Sequence, residues 1–178
     1  MRFMQTAALA TLTFLAIASG ALAQETQSTA NAPKPEKFKD WGLFCSKPAG
    51  ANAAQVCEMQ TVILSDKGQG VGSLVVAAQV GGKEVIASAL LPLGVDLTKE
   101  PTLAVGTSNP ITLRYRRCLR RGCEAMTQLS ADQQSALRAG STAKVAVGVG
   151  PGQTVTFDFS LSGFSAAHDA LKKKTGLQ

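Results

Sequence analysis

The chain carries one histidine, one tryptophan and one tyrosine in 178 residues, and only 12 acidic residues. With His168 as the single histidine, every Ser-His-Asp, Cys-His or histidine-rich metal arrangement must pass through it. It stands beside Asp169 in a helical segment, where consecutive residues do not face each other, so a satisfied, partly exposed histidine is expected rather than a general base. The acids are scattered over turns, with no motif pairing two carboxylates. Cys-x-x-Cys spacing is missing, which removes the usual poised dithiol, and the spacing of Cys118 and Cys123 is loose for zinc ligands. Gly148, Gly150 and Gly152 lack the helix and lysine that follow a phosphate-binding loop. No enzymatic activity, cofactor or metal is expected.

Also missing is any apolar run near the roughly 20 residues a membrane-spanning helix needs. The longest, Ala7 to Ala18, follows Arg2 and leads to Ala21-Leu22-Ala23, the pattern of a secretory signal over residues 1–23, cleaved after Ala23. Residues 24–37 are polar and proline-containing and read as a disordered linker, because they cannot bury enough surface to offset their ordering entropy. Residues 38–178 suffice for a single domain. With the signal removed, no span remains, and the protein is expected in the periplasm, associated with the outer membrane or secreted.

What is present is mostly strand periodicity. Gln55–Leu64, Val71–Val80 and Lys83–Leu91 read as three successive strands, the last two joined at Gly81-Gly82. Thr102–Gly106 is a shorter candidate, and Ile111, Leu113 and Tyr115 alternate with Thr112, Arg114 and Arg116. Cys123–Leu129 returns as a partner strand. Ser130 and Gln133 make a capping box for a helix over Ala131–Ala139, with Gly140 at its C-terminal cap. Ala143, Val145, Val147 and Val149, then Val155, Phe157, Phe159 and Leu161, form a hairpin around Gly150-Pro-Gly152. Phe164, Ala167 and Leu171 share the face of a terminal helix. About nine short strands and two short helices point to an all-β antiparallel sandwich or partly closed barrel.

In an exported chain, four cysteines read as disulfides. Three pairings are open; Cys45–Cys57 and Cys118–Cys123 are favoured because each pair flanks a turn-prone segment. Trp41, close to Cys45, is expected to pack over that disulfide in the core. The segment YRRCLRRGCEA, Tyr115 to Ala125, places Cys118 and Cys123 at a hairpin tip, with Gly122 supplying the unusual backbone angle. Arg114, Arg116, Arg117, Arg120 and Arg121 then form a basic contact surface for phosphate or carboxylate groups, in a chain of net charge +6.

Asp40-Trp-Gly-Leu-Phe-Cys45, Cys57-Glu-Met-Gln60, Leu91-Pro-Leu-Gly-Val95, the Cys118 to Cys123 loop, and Leu161-Ser-Gly-Phe164 with Ala166-Ala167 follow one another in an order that resembles the invasion-associated locus B family. The resemblance implies an exported bacterial envelope protein with a β-rich fold, and supplies no catalytic residues. The expected function is that of a non-enzymatic interaction protein with an envelope partner. The alternative is a module binding an anionic envelope ligand, lipopolysaccharide or acidic polysaccharide, through the arginine-rich hairpin. No nucleic-acid partner is expected.

Overall fold

Alternating apolar positions drive the chain into strands that bury one face each. The computed structural model describes residues 34–47, 50 and 53–177. The expected signal and residues 24–33 of the linker lie outside these. In chain order the strands are β1 (Glu36–Phe38), β2 (Trp41–Ser46), β3 (Val56–Leu64), β4 (Gly70–Gln79), β5 (Val85–Leu91), β6 (Thr102–Val105), β7 (Ile111–Thr112), β8 (Arg114–Leu119) and β9 (Gly122–Gln128). Helix α1 (Ala131–Ala139), strands β10 (Thr142–Gly150) and β11 (Gln153–Ser160), and helix α2 (Phe164–Thr175) complete the chain.

All pairings are antiparallel. A seven-stranded sheet runs β1-β2-β3-β4-β5-β9-β8, and a four-stranded sheet runs β11-β10-β6-β7. The core lies between them. Leu43, Met59, Leu74, Val76, Ala87 and Leu91 come from the larger sheet, and Leu103, Val145, Val147 and Phe159 from the smaller. Helix α2 packs on β2, β3 and β4 and adds Phe164, Ala167 and Leu171. The expected sandwich is therefore the observed one.

The two helices begin where the side chains dictate. Ser130 Oγ accepts from the Gln133 backbone N–H at 3.3 Å, and Gln133 Oε1 accepts from the Ser130 N–H at 2.9 Å, which satisfies two orphan donors of α1. Gly140 caps α1 in an extended conformation rather than a left-handed one; a Cβ there would meet Val105 Cγ1 at 2.2 Å. Gly163 opens α2 at φ 90°, and a Cβ on it would stand 2.0 Å from the Phe38 carbonyl oxygen. The α2 start thus sits directly on the β1–β2 turn. Trp41 fixes the same corner: it is fully buried, meets Phe164 edge-on at 5.0 Å, and donates from Nε1 to the Ser160 carbonyl at 3.0 Å. Its aromatic partner is Phe164.

Several details depart from simple alternation. The strand expected through Ile111 and Tyr115 breaks at the fully buried Leu113: β7 pairs with β6 in the small sheet and β8 with β9 in the large one. A strand that turns a sandwich corner changes sheets in this way. Val149 is 37% exposed rather than inward, because a register shift between Gly148 and Gly150 interrupts the alternation. Glu36 and Lys37, placed in the linker by composition, extend the sheet, since the Lys39-Asp40 turn brings them opposite Leu43 and Gly42. Backbone pairing, not apolar periodicity, recruits them.

Both disulfides are the local ones, each between residues directly opposite in a ladder: Cys45 with Cys57 across β2–β3, and Cys118 with Cys123 across β8–β9. Loop-closure entropy sets their expected contributions at about 3 and about 2 kcal/mol respectively. Replacing each pair by alanine should lower unfolding free energy in denaturant titrations by those amounts, in that order. Equal stability of a variant and its parent would count against the entropic account of that bridge.

Candidate functional site

The outward face of the seven-stranded sheet is built in transverse rows. One runs Val62, Ser73, Leu90, Glu124, Arg117 across β3, β4, β5, β9 and β8; the next runs Gln60, Val75, Ser88, Met126, Arg114. A third runs Glu58, Ala77, Ile86, Gln128. Solvent-facing rows of an antiparallel sheet are ordinarily polar. Here they mix short hydroxyls with valine, leucine, isoleucine and methionine.

The β8–β9 hairpin stands over one end of this face. Leu119 pairs with Gly122, which leaves Arg120 and Arg121 as the two-residue tip. Neither arginine takes positive φ; the unusual backbone angle falls on Gly122, at φ 146°. A Cβ on Gly122 would lie 2.2 Å from the Leu91 carbonyl oxygen, so only glycine lets the hairpin approach β5 this closely. The expected role of Gly122 is borne out, and steric contact adds to it.

A bulge decides where the arginines go. Tyr115 faces Ala125 and Arg117 faces Glu124, with Arg116 the extra residue between. Uninterrupted alternation would aim Arg117 inward with Tyr115; the bulge turns it outward beside Glu124, and bulges commonly re-aim side chains at functional rims. Arg117 Nε donates to Glu124 Oε2 at 2.9 Å. Among the described residues no acidic side chain pairs with Arg114, Arg116, Arg120 or Arg121. Tyr115, just before the bulge, buries its hydroxyl without a hydrogen-bond partner.

Between hairpin and sheet lies a groove of about 510 Å³, lined by Gln60, Ser73, Val75, Ser88, Leu90, Leu119 and Glu124, with Arg117, Arg120 and Arg121 at its wall. A second depression of about 280 Å³ shares Gln60, Ser73, Leu90 and Arg121 and continues to Val62 and Val71. Arg116 lines a separate depression with Arg117, Glu124 and Met126, and Arg114 is not among the residues lining the groove. Of the five expected arginines, three converge and two do not.

The floor is the part that residue-by-residue reading overlooks. Its signal is present in the strands Gly70–Gln79 and Val85–Leu91, where the positions opposite the core are Ser73, Val75, Ala77, Ile86, Ser88 and Leu90 instead of charged residues.

Two titrating groups clarify what the site is not. His168 is buried, contrary to the expectation of partial exposure, because its helix face packs on Phe164 and α1. Arg138 Nη1 reaches Nδ1 at 3.0 Å, Gln134 Oε1 lies 3.1 Å from Nε2, and Arg138 also donates to Asp169 Oδ1 at 2.6 Å. An arginine can donate only to an unprotonated nitrogen, which assigns the neutral ring with its proton on Nε2. Both nitrogens are thereby occupied, and burial followed by the Arg138 charge holds the imidazole below its ordinary pKa. On the outward face, half-buried Glu58 is pushed up, first by burial and then by Glu124. Among the described residues no three His, Cys, Asp or Glu side chains gather as a metal site, and no helix is long and apolar enough to cross a membrane.

A family model described as Invasion associated locus B (IalB) protein matches residues 41–172. The chain belongs to the invasion-associated locus B family. It is 31% identical over 141 residues to invasion protein B homologues from two strains of Brucella abortus, 2308 and biovar 1 strain 9-941, covering 79% of this chain and 80% of each relative. The crystal structure of invasion associated protein B from Bartonella henselae superposes with a TM-score of 0.68 at 25% identity, over 78% of this chain and 95% of that one. This family member therefore has a β sandwich stapled by two disulfides.

The two titrations carry opposite pH signatures. The His168 pKa is depressed, so its stabilisation is full above the ordinary value of 6.5 and is lost as pH falls below it, when the unfolded ring takes up a proton that the folded one resists. Unfolding free energy should fall between pH 7 and pH 5 in the parent, and this portion of the slope should vanish in His168→Gln; an unchanged slope would overturn the assignment. For Glu58 the folded pKa lies above 4.5, so stability is present at low pH and lost as pH rises through the folded value. Glu58→Gln should thus melt higher than the parent at pH 7 and no differently below about pH 4, and a lower melting temperature at pH 7 would contradict the burial cost.

Proposed function

We propose that this chain is an exported, non-enzymatic interaction protein of the bacterial envelope, residing in the periplasm or against the outer membrane, and that its contact surface is the hairpin end of the seven-stranded sheet. The observation that carries this reading is the hairpin itself: guanidiniums without acidic partners, on a tip closed by Cys118–Cys123 and seated on β5 through Gly122. Covalent closure lowers the ordering entropy of binding. The non-enzymatic reading is supported by His168, whose nitrogens are both engaged inside the core. Membership of a family that includes invasion protein B homologues is consistent with a surface-contact role.

The unpaired guanidiniums favour an anionic envelope ligand, lipopolysaccharide or an acidic polysaccharide, over an uncharged partner. Such contacts weaken steeply with salt. Replacing Arg116, Arg117, Arg120 and Arg121 together by serine should leave the melting temperature nearly unchanged, since exposed charges and one exposed ion pair contribute roughly 0 to 1 kcal/mol. The same variant should lose salt-sensitive binding to lipopolysaccharide and fail to retain the parent's cross-linked partners in native envelope extracts. Undiminished binding by a folded variant would remove the hairpin from the contact surface.

A further inference from the structure

The charge-contact reading accounts for the arginines but not for what lies beneath them. Apolar side chains run from the hairpin across the outward sheet face: Leu119 is 61% exposed, Val62 45% and Val71 36%, with Leu90 and Val75 half-buried between them. A ligand recognised by charge alone gains nothing from such a floor, whereas exposed apolar area of this kind marks a binding surface. The two depressions are joined, since Gln60, Ser73, Leu90 and Arg121 line both. Arg121 is therefore at the shared boundary, with Arg120 beside it at the hairpin tip and neither tied to an acid. Glu124, the acid that lines the groove, is occupied by Arg117 at 2.9 Å. The result is an apolar trough with cations on its hairpin side, where the two depressions meet.

We infer that this trough holds a single-chain anionic amphiphile, its phosphate or carboxylate head against Arg120 and Arg121 and its acyl chain along Leu119, Leu90, Val75 and Val62. The inference rests on the anion-contact reading for the head and adds the chain. Dimensions agree with it. From Leu90 on β5 to Val62 on β3 the apolar floor crosses two strand spacings, roughly 10 Å, and an extended alkyl chain built from bonds of about 1.52 Å advances roughly 1.25 Å per carbon, so roughly eight carbons lie along it, with Leu119 beside the head. The groove of about 510 Å³ is in the range of small-ligand sites, and the depression of about 280 Å³ extends it. Ser73 and Ser88 keep the floor low, because a longer side chain at either position would stand up into the channel. The serine hydroxyls and the Gln60 amide are neutral, and the Arg117 and Glu124 charges that also line the groove are paired with each other at 2.9 Å.

The test uses the oxidised chain lacking residues 1–23, titrated calorimetrically with monomeric butyl phosphate, dodecyl phosphate and dodecanol, and assayed by flotation with phosphatidylglycerol and phosphatidylcholine vesicles. Affinity should rise at least about tenfold from butyl to dodecyl phosphate as methylenes are buried, and dodecyl phosphate should bind at least about tenfold tighter than dodecanol. Leu90→Gln with Leu119→Gln should abolish the dependence on chain length while leaving salt-sensitive binding of butyl phosphate. Arg120→Ser with Arg121→Ser should abolish the preference over dodecanol. Should Leu90→Gln destabilise the sheet, Leu119→Gln alone, at an exposed position, must still reduce dodecyl phosphate affinity. Equal affinity for both alkyl phosphates would overturn the trough while sparing the anion contact; binding of neither phosphate, together with undiminished lipopolysaccharide binding by the four-serine variant, would overturn both. Binding to vesicles without binding to any monomeric amphiphile would replace the trough by a membrane-surface contact.

Discussion

The approach of Gly122 to the Leu91 carbonyl, where a Cβ would stand at 2.2 Å, is the contact on which the hairpin's position depends. Hairpin tips usually obtain their sharp reversal from positive φ inside a two-residue turn. Here the reversal is displaced onto Gly122, which frees Arg120 and Arg121 to be long, charged residues at ordinary backbone angles. The Cys118–Cys123 bridge then closes the residues on either side of the tip, and the bulge at Arg116 sets which face Arg117 takes. Three local devices, a glycine, a disulfide and a backbone bulge, determine the direction of the charge.

A hairpin braced in this way is useful only on a platform that does not shift. The opposite side of the sandwich supplies one. Trp41 joins β2, the end of β11 and the first turn of α2 by one aromatic contact and one hydrogen bond, and the Asp40 carboxylate accepts from Ser160 Oγ at 2.6 Å beside it. Gly163 allows α2 to start against the Phe38 carbonyl, and Phe164 then stacks on His168, which is held in turn by Gln134 and Arg138 of α1. Both helices are thus fixed to the strand layer through a short run of contacts that begins at the first disulfide-bearing strand. Buried, satisfied polar networks of this kind specify one packing.

Much of this was legible in the residues. The capping box at Ser130 and Gln133, the Ala131–Ala139 helix, the Phe164, Ala167 and Leu171 face and both local disulfides follow from short-range chemistry that tertiary context did not override. What was not legible depends on contacts between distant elements. Leu113 looks like any inward strand residue until two sheets compete for its neighbours. The side assignment of Arg117 turns on one inserted residue, and alternation carries no warning of a bulge. His168 is polar and near the chain terminus, yet the arrival of α1 beside α2 buries it. Glu36 and Lys37 read as linker because a ladder can recruit residues whose side chains carry no burial signal.

The floor of the trough is a different kind of omission, and it bears on function. Strands β4 and β5 carry apolar residues on both faces, a pattern that normally belongs to sheets covered on both sides. In this fold the core layer, formed by the small sheet and α2, covers one side, while among the described residues the other is left open around Val75, Ile86 and Leu90. Strand-forming tendency alone does not require this, since threonine would serve β-propensity with less apolar exposure. Nor does solubility, which is better served by charge on an exposed face. Residues suited to a core, placed where the protein's own core does not reach, lie beside a hairpin tip whose guanidiniums, Arg120 and Arg121, lack acidic partners among the described residues. A sheet face built to be covered, with cations on its hairpin side, is complementary to a molecule that is apolar along its length and anionic at its tip.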